Sequence, residues 1–128
     1  MSKWYSKVRY GIVGCTLVMA LTACQTTADR TANKLSVEDV RSTFIGRDWG
    51  QGNHTFQFTH AGEFRYRKSD GTAFGGSYEM KEDGTICATN DDSAPHPNRT
   101  TCFTFYRNGD GYEYYHDRSG KYWPANLL

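Results

Sequence analysis

Two cysteines, an acidic loop carrying a histidine, and a His-Asp-x-Ser run are the residues whose types and spacing raise chemistry first. Cys87 and Cys102 form a thiol pair without Cys-x-x-Cys spacing. Such a pair can oxidise to a disulfide, ligate a metal or cycle as a redox couple, and the missing motif disfavours the last two. Asp91, Asp92 and His96 share the stretch 91–99, Asp-Asp-Ser-Ala-Pro-His-Pro-Asn-Arg. Two carboxylates and an imidazole can hold a divalent cation. Connecting loops are polar anyway, and Pro95 and Pro97 stiffen this one without adding a ligand, so a solvated loop and no metal are expected. His116, Asp117 and Ser119 are the residue types of a hydrolytic triad, but they sit at one hairpin end. So close in sequence, they are not expected to converge as nucleophile, base and orienter. No catalytic residue and no cofactor are expected.

Aromatic residues make up 15% of the chain. Tyr106, Tyr115 and Trp123 read as sharing the outward parity of neighbouring strands, with Tyr115 opposite Trp123. Rings with a polar handle on a wet face suit sugar stacking or protein contact; the competing expectation is that a helix covers them. His54, His60 and Lys68 fall on the inner parity. They either line an open barrel mouth or mark frayed strand ends, and fraying is the preferred reading.

A further cysteine is read through its neighbours. Lys3, Lys7 and Arg9 precede an uncharged run from Gly11 to Ala23. That run is shorter than the roughly 20 apolar residues of a spanning helix and fits the apolar region of a signal peptide. Leu21-Thr22-Ala23-Cys24 then resembles the bacterial lipobox, which directs diacylglycerol onto the thiol and cleavage before the cysteine. Residues 1–23 are therefore expected to be a lipoprotein signal peptide, with Cys24 lipidated. Residues 24–34 are small and polar, and read as the anchored cysteine and a flexible tether. Gln25 after the cysteine, in place of Asp, implies sorting to the outer membrane, with the domain in the periplasm or at the cell surface.

Residues 35–128 must position everything else. Leu35-Ser36-Val37-Glu38-Asp39-Val40 reads as a helix start, with Ser36 as cap and Leu35 and Val40 as a hydrophobic staple. Val37, Val40 and Phe44 form its apolar stripe, and Gly46 suits the residue after its end. From Asn53 the period becomes two. Loops ending in Gly62, Gly71, Gly84 and Gly120 fit three-residue hairpins, and Asn108-Gly109 a two-residue type I′ turn. Building outward pairs Phe58 with Phe64, Phe56 with Tyr66, Tyr66 with Phe74, Met80 with Ile86 and Tyr78 with Ala88. It also pairs Phe105 with Tyr112, Phe103 with Tyr114 and His116 with Tyr122. Large apolar residues then meet on one face, which a one-residue slip would invert. The expected fold is mainly β: an antiparallel meander of about seven strands (53–59, 63–68, 72–81, 85–90, 100–107, 110–117 and 121–127). It is curled or closed into a small barrel, with one short N-terminal helix over an opening or edge. Gly75-Gly76 is expected to mark a bulge or bend.

The same register sets Cys87 opposite Cys102, Ile86 opposite Phe103 and Thr85 opposite Thr104. Directly opposed residues lie at disulfide distance, and an exported chain is oxidised, so a Cys87–Cys102 bridge is expected.

These motifs resemble a known family. Leu35-Ser36-x-Glu38, Phe44-x-Gly46-Arg47-x-Trp49 and Asp70-Gly71-Thr72 open the resemblance. Gly76-x-Tyr78-x-Met80-x-x-Asp83-Gly84-x-x-Cys87 and Cys102-Phe103-x-Phe105-x-Arg107-Asn108-Gly109-Asp110-x-Tyr112 carry it further. Together they are similar to a family of small exported alphaproteobacterial proteins of unknown function, in which Trp more often stands at the place of Tyr78. The resemblance implies an exported, disulfide-containing β-domain and brings no catalytic residues.

Charge narrows the partners. The chain holds 15 basic and 14 acidic residues. Without Lys3, Lys7 and Arg9 the body is net acidic, which speaks against nucleic acid. The expected function is that of a non-catalytic envelope lipoprotein, tied to the membrane through Cys24, whose β-domain binds a protein or polysaccharide. The alternative is a lipoprotein inhibitor of a hydrolase such as a protease or lysozyme, for which loop 91–99 with Arg99 is the candidate inhibitory element.

Overall fold

The computed structural model describes residues 27–128. The expected signal peptide 1–23 and lipidation site Cys24 lie outside the described residues. Thr27–Ala32, within the segment 24–34, is a short helix, α1. A separate compact unit begins at Asn33 and runs to Leu128.

That unit holds helix α2 (Val37–Phe44) and nine strands. Ser36 caps α2, its hydroxyl accepting from the Asp39 amide at 3.1 Å, and Gly46 follows it with φ +83°. The strands are β1 (Asp48–Gln51), β2 (His54–Phe58), β3 (Glu63–Lys68), β4 (Ala73–Met80), β5 (Ile86–Asn90), β6 (Thr100–Asn108), β7 (Gly111–His116), β8 (Lys121–Pro124) and β9 (Asn126–Leu127). They form one antiparallel sheet in the order β8-β7-β6-β5-β4-β3-β2-β1-β9. The meander is as expected. The seven expected strands are nine, because Asp48–Gln51 adds one and the last strand breaks at Ala125. Before the break it pairs with β7; beyond it, Trp49 meets Leu127 and Gly50 meets Asn126. The bent C-terminal segment thus touches both edges and nearly closes the sheet into a barrel.

The first three hairpins keep the expected register, from Phe58↔Phe64 through Tyr66↔Phe74 to Met80↔Ile86. The β6–β7 turn differs. Asn108 pairs with Gly111, leaving Gly109-Asp110 as the two central residues, and positive φ occurs at Gly109 alone. That is type II′ chemistry, with glycine at the first central position. Phe105 therefore meets Tyr114, and Phe103 meets His116. The shift is by two, so the faces survive.

The last hairpin slips by one, which inverts a strand. Asp117 is drawn into the loop, where its amide donates to the Cys102 carbonyl at 3.2 Å and its carboxylate accepts from the Cys102 amide at 2.9 Å. His116 then pairs with Lys121, Tyr115 with Tyr122 and Tyr114 with Trp123. Trp123 faces inward, not outward as expected. Gly75 and Gly76 interrupt nothing either: the ladder runs through both. Glycine is needed at 76 because a Cβ there would lie 1.9 Å from the Thr89 carbonyl oxygen.

The core is a stack of rings inside the barrel. Trp49 is fully buried and packs on Phe56 at 4.7 Å and on Tyr114 at 5.1 Å between centroids. Helix α2 plugs one end: Phe44 stacks on Phe105 at 4.4 Å and meets Trp49 edge-on at 5.5 Å. Among the described residues the Trp49 indole N–H has no hydrogen-bond partner; its ring stands edge-on to those of Phe103, Phe105 and Tyr114. The disulfide joins Cys87 to Cys102 with Cα atoms 4.0 Å apart. Thr85–Thr104 and Thr89–Thr100 hydroxyl pairs flank it at 3.3 and 2.8 Å.

Candidate functional site

Because α2 fills one end of the barrel, the other end is left to loops 52–53, 69–71, 91–99 and 117–120. Alternation along the strands points every second residue into that end. The result is a cavity of about 540 Å³ open to solvent, within the roughly 300–1,000 Å³ range of small-molecule sites. Phe56, Phe64, Tyr66, Phe74, Phe103 and Tyr114 supply most of its apolar wall, and Trp123 joins them from β8.

The upper lining is polar and of one sign. Lys68, Arg99 and Arg118 reach the cavity from three separate strand ends or loops, and His54, His96 and His116 accompany them. Among the described residues that line it, none is Asp or Glu. Acids stand beside this ring: Asp70 Oδ2 is 3.9 Å from Lys68 Nζ, and Asp117 follows His116. Arg118 is steadied by donating to the Thr100 carbonyl at 2.9 Å.

Two hydrogen-bonded histidines show how the wall is held. His54 Nδ1 meets the Tyr66 hydroxyl at 2.5 Å, tying β2 to β3 at the rim. Burial and the nearby Asp70 carboxylate both push the Tyr66 phenol above its ordinary pKa. Burial pushes the Tyr114 phenol further up, against a hydrogen bond from Gln51. His116 Nδ1 accepts from the Ser119 amide at 3.1 Å, which leaves the neutral ring's proton on Nε2. Burial lowers the His116 pKa, with Asp117 opposing and Arg118 assisting.

No family model, curated protein or solved structure compared with this chain matches it. The site is therefore read from its own geometry.

Of the residues singled out in the sequence, His54 and Lys68 do line the barrel mouth; the preferred fraying reading fails because both belong to continuous ladders. His60 lies at the other end, where a Cβ built on Gly46 would fall 2.4 Å from its Nε2. Ser119 Oγ sits 3.0 Å from His116 Nδ1, so two of the triad types meet. The Asp117 carboxylate turns instead to the Cys102 amide, and Ser119 Oγ also accepts from the Lys121 amide at 3.3 Å. The arrangement braces a turn. In loop 91–99, Asp91 accepts from the Ser93 amide at 2.8 Å, and bonding to Ser93 holds its carboxyl below the usual range. Among the described residues no three His, Cys, Asp or Glu side chains gather as a metal set. Arg99 and His96 lean on the cavity.

The outer aromatic cluster survives with one member exchanged. Tyr122 takes the place expected of Trp123, 5.0 Å from Tyr115 and 5.7 Å from Tyr106 between ring centroids. Tyr122 is 38% exposed. Phe44 of α2 packs instead on Phe105, Trp49 and Tyr112 inside the barrel. Sequence reasoning missed Gln51, Asn90, Thr101 and His116 as lining residues. Their shared signal is a polar side chain at inner parity next to a loop on the same barrel end.

Proposed function

We propose that this chain is a non-catalytic binding protein of the bacterial envelope, held to the outer membrane by lipid on Cys24, and that its barrel takes a ligand through the open end. The lipobox resemblance and the likeness to small exported β-domains support the address. The observation that carries the binding reading is the aromatic-walled cavity of about 540 Å³, plugged below by α2 and open above. A core needs no such space, since protein interiors are close-packed.

N-phenyl-1-naphthylamine, a neutral apolar fluorophore, tests the cavity. It should bind the folded protein once per barrel with enhanced emission, and Thr101→Trp, which fills the site, should abolish the enhancement. Absence of binding would overturn the reading.

A second reading rests on the outer rings. Tyr106 and Tyr115 are half-buried and Tyr122 is exposed, and this contiguous outer cluster supports a protein or polysaccharide partner on that side. Crosslinking from position 122 that captures the same envelope component as the native surface, and loses it in Tyr115→Ala, would favour it. The inhibitor alternative asks for a protruding Arg99; that side chain instead contributes to the cavity rim, which favours the ligand reading.

A further inference from the structure

The charge of the cavity mouth is at odds with the charge of the molecule. The body after Ala23 carries more acidic than basic residues. Yet Lys68, Arg99 and Arg118 converge on one opening from β3, loop 91–99 and loop 117–120, and among the described residues no acidic side chain lines it. Below them the wall is aromatic down to Phe103, which is 2% exposed.

We propose that the open end of the barrel binds an organic anion with an apolar body, its carboxylate, sulfonate or phosphate head held among Lys68, Arg99 and Arg118. This rests on the ligand-binding reading above and names the ligand's chemistry. A neutral ligand would leave Lys68, Arg99 and Arg118 unused at the mouth they share, whereas an anion gains charge-assisted hydrogen bonds from them. An anion without an apolar body would leave the ring-lined depth unused, and burying apolar surface is the larger source of affinity in such pockets. Arg118 is already positioned by its bond to the Thr100 carbonyl, so less of its freedom is lost on binding. Lys68, 3.9 Å from the Asp70 carboxylate, exchanges a solvent-exposed ion pair for a partly enclosed one.

The test compares two probes that differ chiefly in one charged group. The full chain is titrated with 8-anilinonaphthalene-1-sulfonate and with neutral N-phenyl-1-naphthylamine. The sulfonate should bind at least about ten-fold tighter, the worth of one hydrogen bond to a charged group. In Lys68→Gln/Arg99→Gln/Arg118→Gln that ratio should fall to near unity, while the neutral probe binds as before. Where the triple variant does not fold, Lys68→Gln/Arg99→Gln leaves the Arg118–Thr100 bond intact and should still cut the ratio at least about three-fold. Equal affinity for the two probes, or a preference that survives the substitutions, overturns the proposal while leaving the binding reading standing. Failure of both probes to bind overturns the two together. Competition by dodecanoate and by 2-naphthoate then separates acyl-chain from aromatic acids; displacement by either supports the anion site, and displacement by neither overturns it.

Discussion

Removing the Cys87–Cys102 bridge should cost the barrel about 3 kcal/mol. The bridge joins residues separated by 15 positions, and constraining a loop of that length lowers the entropy of the unfolded chain by about 10 cal/mol/K, or ~3 kcal/mol at 25 °C. The native state should barely notice the loss. Ile86↔Phe103 and Thr89↔Thr100 keep the β5–β6 register on either side of the bridge, and the two threonine hydroxyl pairs remain. The cost therefore falls on the unfolded ensemble, which becomes less compact. Cys87→Ala/Cys102→Ala is the variant, and urea unfolding followed by Trp fluorescence is the assay. The midpoint should fall while the m-value rises, because more surface becomes exposed on unfolding. For a domain of this size the melting temperature should drop by about 12–24 °C. A loss below about 1 kcal/mol with unchanged m would refute the argument that the bridge acts through the unfolded chain. A loss well above it, with altered native chemical shifts in β5 and β6, would mean that the bridge holds native packing instead.

Two more outcomes follow from the sequence and the site. Cys24→Ser should abolish incorporation of a clickable fatty acid and leave the chain uncleaved or soluble; label persisting on the variant would remove the lipoprotein reading. His116 has a pKa lowered mainly by burial, so the unfolded chain takes up its proton first, and stability should fall as pH drops below the unfolded value of about 6.5. His116→Gln should flatten that part of the pH–stability curve, measured by urea midpoints between about pH 7.5 and 5; an unchanged slope would show that the ring charges freely in the folded protein.

What the sequence made legible was local. Glycines closing three-residue loops fixed Phe58↔Phe64, Tyr66↔Phe74 and Met80↔Ile86, because each turn dictates its own hairpin. The register beside Asp117 was not legible. Its extra loop residue is set by a bond to the Cys102 backbone, a contact between strands that no turn rule encodes, and that one slip carried Trp123 from the outer face to the inner. Strand β1 escaped notice for a related reason. Asp48–Gln51 contains a glycine and is too short to show a period; it is a strand because β2 and β9 pair with it. Without β1 and β9 the closure of the barrel is invisible. The polar inner residues His54 and Lys68 then look like fraying ends, not the rim of a cavity.

The junction of β1 with β9 also bears on how the chain folds. Every other ladder of the sheet joins neighbours in sequence, so hairpins can zip without waiting for distant chain, whereas this one needs the segment around Trp49 to find the segment around Leu127. Such non-local pairing is slow. A chain in which it has not formed presents an open ribbon with two unpaired edges, each a template for another chain. One edge is blunted: Pro124 in β8 has no amide proton to offer a newcomer. The other, Asp48–Gln51, carries no proline, and among the described residues it is the chain's own last strand that pairs along it. Loss of the Asn126–Leu127 pairing should therefore show itself first as association between molecules, ahead of any fall in the stability of those that have already closed.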